Sequence, residues 1–135
     1  MHAHDFAKLW HKVSRDLRAH MDAVLAPTLT ESQLNVIEYI MNHDQVKPSD
    51  LIEYLATTPA AITTMMDRME RNGLIVRERD AADRRIVRLK LTEKGLAEGR
   101  RGLKVRQEFL ESYLGKISEH NQQLLIYLLG KVSGL

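Results

Sequence analysis

The hydrophobic period of this chain changes across Gly73 from that of a helix to that of a strand, and that change limits the fold more than any other feature. Before it, Ile62, Met65, Met66 and Met69 recur at i, i+3, i+4 and i+7, which gathers them on one helix face. After it, Val87, Leu89 and Leu91 alternate with Arg88 and Lys90, the two-residue period of a strand. Leu74 to Arg79 can supply the pairing strand, with Asp80-Ala81-Ala82-Asp83-Arg84-Arg85 as the connecting loop. The expected fold is therefore mainly α with one small β-hairpin.

Capping signals divide the rest into helices. Asp5 to Leu25 carries Phe6, Leu9, Trp10, Val13, Leu17, Met21, Val24 and Leu25 in one helical stripe that Pro27 ends. Thr30-Glu31-Ser32-Gln33 has the spacing of a capping box, with Leu29 and Leu34 placed as a hydrophobic staple and Val36, Ile37, Ile40 and Met41 behind them. Pro48 and Asp50 open a short helix, with Leu51, Ile52 and Leu55 facing inward. Thr58 and Pro59 open the next, and Gly73 stops it. Two helices joined by about three residues form a helix-turn-helix, and a basic hairpin directly after it reads as a wing.

Thr92 caps a long fifth helix in which Leu96, Leu103, Leu110 and Ile117 stand seven apart, near Val105, Phe109, Tyr113 and Leu114. Gly95, Gly99 and Gly102 lower its intrinsic propensity, so packing must hold it. A last helix carries Leu124, Leu125, Leu128, Leu129 and Val132. This terminal apolar surface exceeds what the centre can cover, which implies a homodimer built from the first, fifth and sixth helices. The chain, 135 residues, reads as a single domain over 1–135. A winged helix-turn-helix lobe covers about 30–92, and a helical dimerisation lobe is drawn from about 5–25 and 93–135.

Charge then points to a partner. From Arg68 to Lys90 there are eight basic and four acidic residues, a local excess of +4 in a chain of net +2. Such a cluster marks an anion-binding face. The outward positions of the helix from Pro59 to Asn72 are Ala60, Ala61, Thr63, Thr64, Asp67, Arg68 and Arg71. Small residues there allow close approach to a major groove. Threonine offers a hydroxyl or a methyl group to base edges, while Arg68 and Arg71 suit phosphates.

From Ala60 to Ile75, through Arg77 and the Asp80–Arg85 loop, to Leu91-Thr92-Glu93-Lys94-Gly95, the chain resembles the MarR family of winged-helix transcription regulators. The Asp-x-Arg wing followed by Leu-Thr-x-x-Gly carries most of the resemblance, and the helix order agrees over nearly the whole chain. The resemblance implies a homodimeric, ligand-responsive repressor on a pseudo-palindromic double-stranded DNA operator. Recognition helices would enter successive major grooves and wings the flanking minor grooves. It makes Arg85 the wing arginine and Asp83 the acid that orients it. The DNA-binding set is then Thr58, Ala60, Ala61, Thr63, Thr64, Arg68, Arg71, Asp83, Arg84 and Arg85. It also implies a pocket for a small aromatic or phenolic effector between the dimerisation helices and the DNA-binding lobe, lined by Trp10, His11 and Arg15.

Other functions lack their residues. Without cysteine there is no disulfide, thiolate metal site or thiol sensor. The six histidines (His2, His4, His11, His20, His43 and His120) show no His-x-x-x-His pair in the fifth helix, so no metal or other cofactor is assigned. No phosphate-binding glycine loop, zinc-protease motif or nucleophile elbow occurs, so no enzyme is expected. No apolar run reaches membrane-spanning length and the start does not resemble a signal peptide, so the expected location is the cytoplasm. The alternative is a protein-interaction module that keeps the fold without binding DNA.

Overall fold

Four helices begin at a hydroxyl side chain that accepts a hydrogen bond from the backbone N–H three residues on. Thr30 accepts from Gln33 (3.2 Å), Thr58 from Ala61 (3.1 Å), Thr92 from Gly95 (3.0 Å) and Ser118 from Asn121 (3.2 Å). The computed structural model describes residues 1–135 as α1 (His2–Leu25), α2 (Glu31–Asn42), α3 (Pro48–Tyr54), α4 (Pro59–Arg71), β1 (Ile75–Arg79), β2 (Val87–Leu91), α5 (Glu93–Leu114) and α6 (Glu119–Ser133). The α2 capping box is complete, because Gln33 Oε1 also accepts from the Thr30 N–H at 3.2 Å. The structure is thus mainly helical, with one antiparallel hairpin running in register from Ile75↔Leu91 to Arg79↔Val87.

The core joins every element except α6. Met21 and Leu25 of α1 meet Leu34, Val36 and Ile37 of α2, Leu51 of α3, Ile62, Met66 and Met69 of α4, and Leu74, Ile75 and Leu89 of the hairpin. Beside it, β2 gains a bond from outside the sheet, the Leu89 N–H donating to the Val46 carbonyl at 2.8 Å. Residues 55–58 join α3 to α4, and Ala56 lies there in the left-handed region with φ 50°.

On α5 the buried face is not the leucine series but Gly95, Gly99 and Gly102. A Cβ on Gly95 would lie 2.0 Å from the Leu74 carbonyl oxygen, one on Gly99 2.5 Å from Ile37 Cγ2, and one on Gly102 2.6 Å from Leu34 Cδ1. The three glycines bring the α5 backbone directly onto α2 and onto the root of the hairpin. Leu103 and Val105 flank that seam half-buried.

Two faces find no partner within the protomer. Phe6, Leu9 and Trp10 of α1 are half or more exposed, although the sequence pattern places them in one stripe with the buried Met21 and Leu25. No residue of α6 is buried, and Leu124, Ile126, Tyr127, Leu128 and Val132 all lie open.

Two stability predictions come from this packing. Overpacking a close-packed core costs about 1–3 kcal/mol, against about 1 kcal/mol of helix propensity that alanine gains over glycine. Gly95→Ala should be the most destabilising, because a backbone carbonyl cannot move aside. Gly99→Ala should follow, against the β-branched Ile37, and Gly102→Ala should be mildest, against the free end of Leu34. Urea unfolding that ranks the three differently would contradict this. Ala56→Gly should instead stabilise by about 0.5–1 kcal/mol, since the left-handed penalty removed exceeds the chain entropy added, as a rise in thermal midpoint would show.

Candidate nucleic-acid interface

The α4 helix turns Ile62, Met66 and Met69 into the core, and this leaves Ala60, Ala61, Thr63, Thr64, Arg68 and Arg71 exposed on the other side. Thr58 is exposed too, with its hydroxyl already accepting the cap bond from Ala61. The Thr63 hydroxyl donates to the Pro59 carbonyl at 3.0 Å, so in this rotamer it presents only a methyl group and lone pairs outward. Thr64 makes no such bond. Together with Ala61 and Arg68 it borders a shallow concavity of about 180 Å³ shared with Thr30 and Gln33. The start of α2 therefore stands beside the exposed face of α4, an arrangement no local sequence signal announces.

The wing loop is built by two aspartates. Asp80 Oδ1 accepts from the backbone N–H groups of Ala82 and Asp83, both at 2.8 Å, while Oδ2 receives the Arg88 guanidinium at 2.6 Å. The Arg88 side chain, then the Asp83 and Ala82 amides, hold the Asp80 carboxyl below its ordinary pKa. Asp83 grips Arg85 in a two-pronged pair: Arg85 Nε donates to Oδ1 at 3.0 Å and Nη2 to Oδ2 at 3.0 Å. The Arg85 backbone N–H adds a third bond at 3.1 Å. The Arg85 guanidinium and that backbone bond depress the Asp83 carboxyl, and Asp83 in turn raises Arg85. The Arg85 side chain is nevertheless 91% exposed, so its fork is oriented while remaining in solvent.

Half of the basic cluster is held in ion pairs. Arg77 pairs with Asp67 and Glu70 of α4, Arg88 with Asp80, and Lys90 with Glu78. Arg68, Arg71, Arg79 and Arg84 have no carboxylate within 4 Å, and Arg79 Nη1 donates to the Arg84 carbonyl at 2.8 Å. Asp67 is thus a bridge to the hairpin, and Asp80 is the wing residue that charge and periodicity alone did not single out. An aspartate two residues before a turn amide was its available signal.

Trp10, His11 and Arg15 do share a concavity, of about 360 Å³, but its other lining residues are Ser14 and Arg18, all on α1. Within the protomer it does not lie between the two lobes, because the amino-terminal half of α1 projects beyond the winged helix. The concavity that does touch both sets of elements, about 520 Å³, is bordered by Arg18, Asn35, Glu38, Tyr54, Met65 and Arg106 among others. No group of His, Asp and Glu side chains converges as a metal-ligand cluster. No helix is long and apolar enough to cross a membrane.

Comparison with known proteins agrees with this architecture. Residues 29–87 match the profile of the MarR family. The transcriptional regulator HosA of Escherichia coli O157:H7 is 33% identical over 106 residues, covering 78% of this chain and 78% of HosA. The HTH-type transcriptional repressor MdtR of Bacillus subtilis is 30% identical over 105 residues, covering 78% of this chain and 68% of MdtR. In three dimensions, a cysteine-to-serine mutant of Escherichia coli MarR complexed with operator DNA superposes with a TM-score of 0.80. It is 26% identical, with 95% of this chain and 93% of that one covered. With its winged helix-turn-helix, its Asp83–Arg85 wing and these relatives, the chain belongs to the MarR family and is a transcriptional regulator of the MarR type.

Proposed function

We propose that this regulator is a homodimeric repressor, located in the cytoplasm, that reads a pseudo-palindromic operator and responds to a small ligand. Arg85 carries the reading: a guanidinium exposed at a wing tip yet held in one orientation by Asp83 matches what a narrow minor groove attracts. Thr58, Ala60, Ala61, Thr63 and Thr64 form the major-groove edge, Arg68 and Arg71 take phosphates, and Arg84 stands beside Arg85 on the wing. The operator complex of the related MarR protein supports this docking, and the MdtR relative supports the repressor role.

The homodimer accounts for the open apolar faces of α1 and α6. On this reading the chain divides into a winged lobe over about 30–92 and dimerisation helices over about 5–25 and 93–135. The ligand is a small aromatic or phenolic acid, for which Trp10 offers a ring and Arg15 a cation, with His11 between them. A protein-interaction module with the same fold would show no salt-dependent DNA affinity.

The decisive experiment recovers an operator by selection from random duplexes and measures its affinity at two salt concentrations. Arg85→Ala should weaken binding and lower the salt slope by about one counterion per wing. Arg85→Lys should restore only part of the loss, since an ammonium lacks the fork. Asp83→Asn should weaken binding although it removes a negative charge near DNA. Sequence-independent binding, or none, would refute the proposal.

The wing should also be insensitive to pH across the neutral range. Asp80 and Asp83 are depressed by the guanidiniums and amides they accept from. Their contribution is therefore complete above the ordinary carboxyl range near pH 4 and is lost only as pH falls through their lower folded values. The amide chemical shifts of Ala82 and Asp83 should stay constant from pH 8 to about 5.

A further inference from the structure

Arg77 lies midway along β1, and its contacts cross to the helix that precedes it. Its Nη2 stands 2.8 Å from Asp67 Oδ1 and 2.8 Å from Glu70 Oε1. Its Nε reaches Glu70 Oε1 at 3.3 Å, and its backbone N–H donates to Glu70 Oε2 at 3.1 Å. We propose that Arg77 is a positioning residue that sets the angle between α4 and the wing, so that the two meet DNA as one rigid body. The proposal rests on the reading that α4 and the Arg85 tip both contact DNA.

Three observations carry it. The only covalent joint between α4 and β1 is Asn72-Gly73-Leu74, whose hydrogen bonds to Glu70, Met69 and Thr92 fix the root of the hairpin, whereas Arg77 acts two residues beyond the start of β1. Asp67 and Glu70, three residues apart on α4, converge on Arg77 Nη2, and Glu70 also takes Nε, so the guanidinium is gripped from both sides of one helical turn. Glu70 is also bound by both the backbone and the side chain of Arg77, so its carboxylate is fixed relative to the strand itself.

Leverage makes the angle matter. Five strand residues at about 3.3 Å each place the tip roughly 17 Å from the root. A tilt of about 10° there would move Arg85 by about 3 Å, a whole hydrogen-bond length. Stability is not the purpose of such a clamp. The Arg77, Asp67 and Glu70 side chains are 31%, 48% and 40% exposed, and pairs with that much solvent add little to folding.

The test is a double-mutant cycle on the selected operator with the full chain. In the wild type, Arg85→Ala should cost about tenfold in affinity, the loss expected of one good arginine contact. In an Arg77→Met background the same change should cost less than about threefold, because the uncoupled wing no longer delivers Arg85; distant independent sites would instead add. Asp67→Asn with Glu70→Gln releases the clamp from the helix side while keeping side-chain shape, and should give the same reduction. Thermal unfolding of each variant reports the fold separately.

An unchanged Arg85→Ala factor in either clamp background would overturn the proposal. Full recovery of that factor by Arg77→Lys would also overturn it, since charge alone would then suffice. If Arg85→Ala has no effect in the wild type, the wing reading itself fails, and this inference falls with it.

Discussion

The structure depends on how closely one helix backbone lies on its neighbours. Gly95, Gly99 and Gly102 bring α5 against Leu74, Ile37 and Leu34 at distances where a single Cβ would collide. That contact joins the first turns of α5 to the winged helix-turn-helix, and further along α5 packs on α1. Thr92 reinforces the junction, for its hydroxyl caps α5 and donates to the Gly73 carbonyl at the end of α4. Lys94 adds a bond to the Asn72 carbonyl at 2.7 Å. The close of α4, the root of the hairpin and the start of α5 are thus tied within a few residues. The position of α4 relative to α5 follows from that knot.

Around it, guanidinium groups take over where apolar packing ends. Arg101 donates to the Val24 and Leu25 carbonyls at the end of α1 and also to Thr28 and Glu98, so the last turn of α1 is capped by a side chain of α5. Arg106 pairs with Glu38 and links α5 to α2 a second time. Arg77 joins β1 to α4, and Arg88 joins β2 to the wing loop through Asp80. Four of the eight basic residues between Arg68 and Lys90 are therefore held in ion pairs within the protomer. The four without a carboxylate, Arg68, Arg71, Arg79 and Arg84, lie on the exposed side of α4 and on the wing, with the paired but solvent-facing Arg85 beside them.

The helical ends have a different character from the centre. Hairpin, α2, α3 and α4 bury most of their apolar residues within the protomer, whereas α6 buries none and the amino-terminal half of α1 stays open. The proposed homodimer would convert those faces into core. An effector that altered their packing would reach α4 through α5 and its glycine seam.

Local chemistry made most elements legible in advance. Thr30, Thr58 and Thr92 are caps because a hydroxyl can satisfy an amide three residues on. The hairpin is visible because alternation at Val87–Leu91 suits only a pleated strand. The exposed side of α4 followed from the helical spacing of Ile62, Met66 and Met69, and the Asp83–Arg85 pair from the resemblance of the wing to the MarR family. The glycines of α5 were a different matter. Read singly they weaken a helix, and only the approach of Leu34, Ile37 and Leu74 makes them its contact face. Arg77 counted as one more positive charge until folding set Asp67 and Glu70 beside it. Trp10, His11 and Arg15 are close along one helix, yet whether anything faces them depends on how far α1 projects. Caps, periods and turn bonds act within about one turn of chain, so the sequence by itself determined the elements and their faces. Close backbone approach, cross-element ion pairs and cavities depend on residues far apart in the chain, and only the tertiary structure decided those.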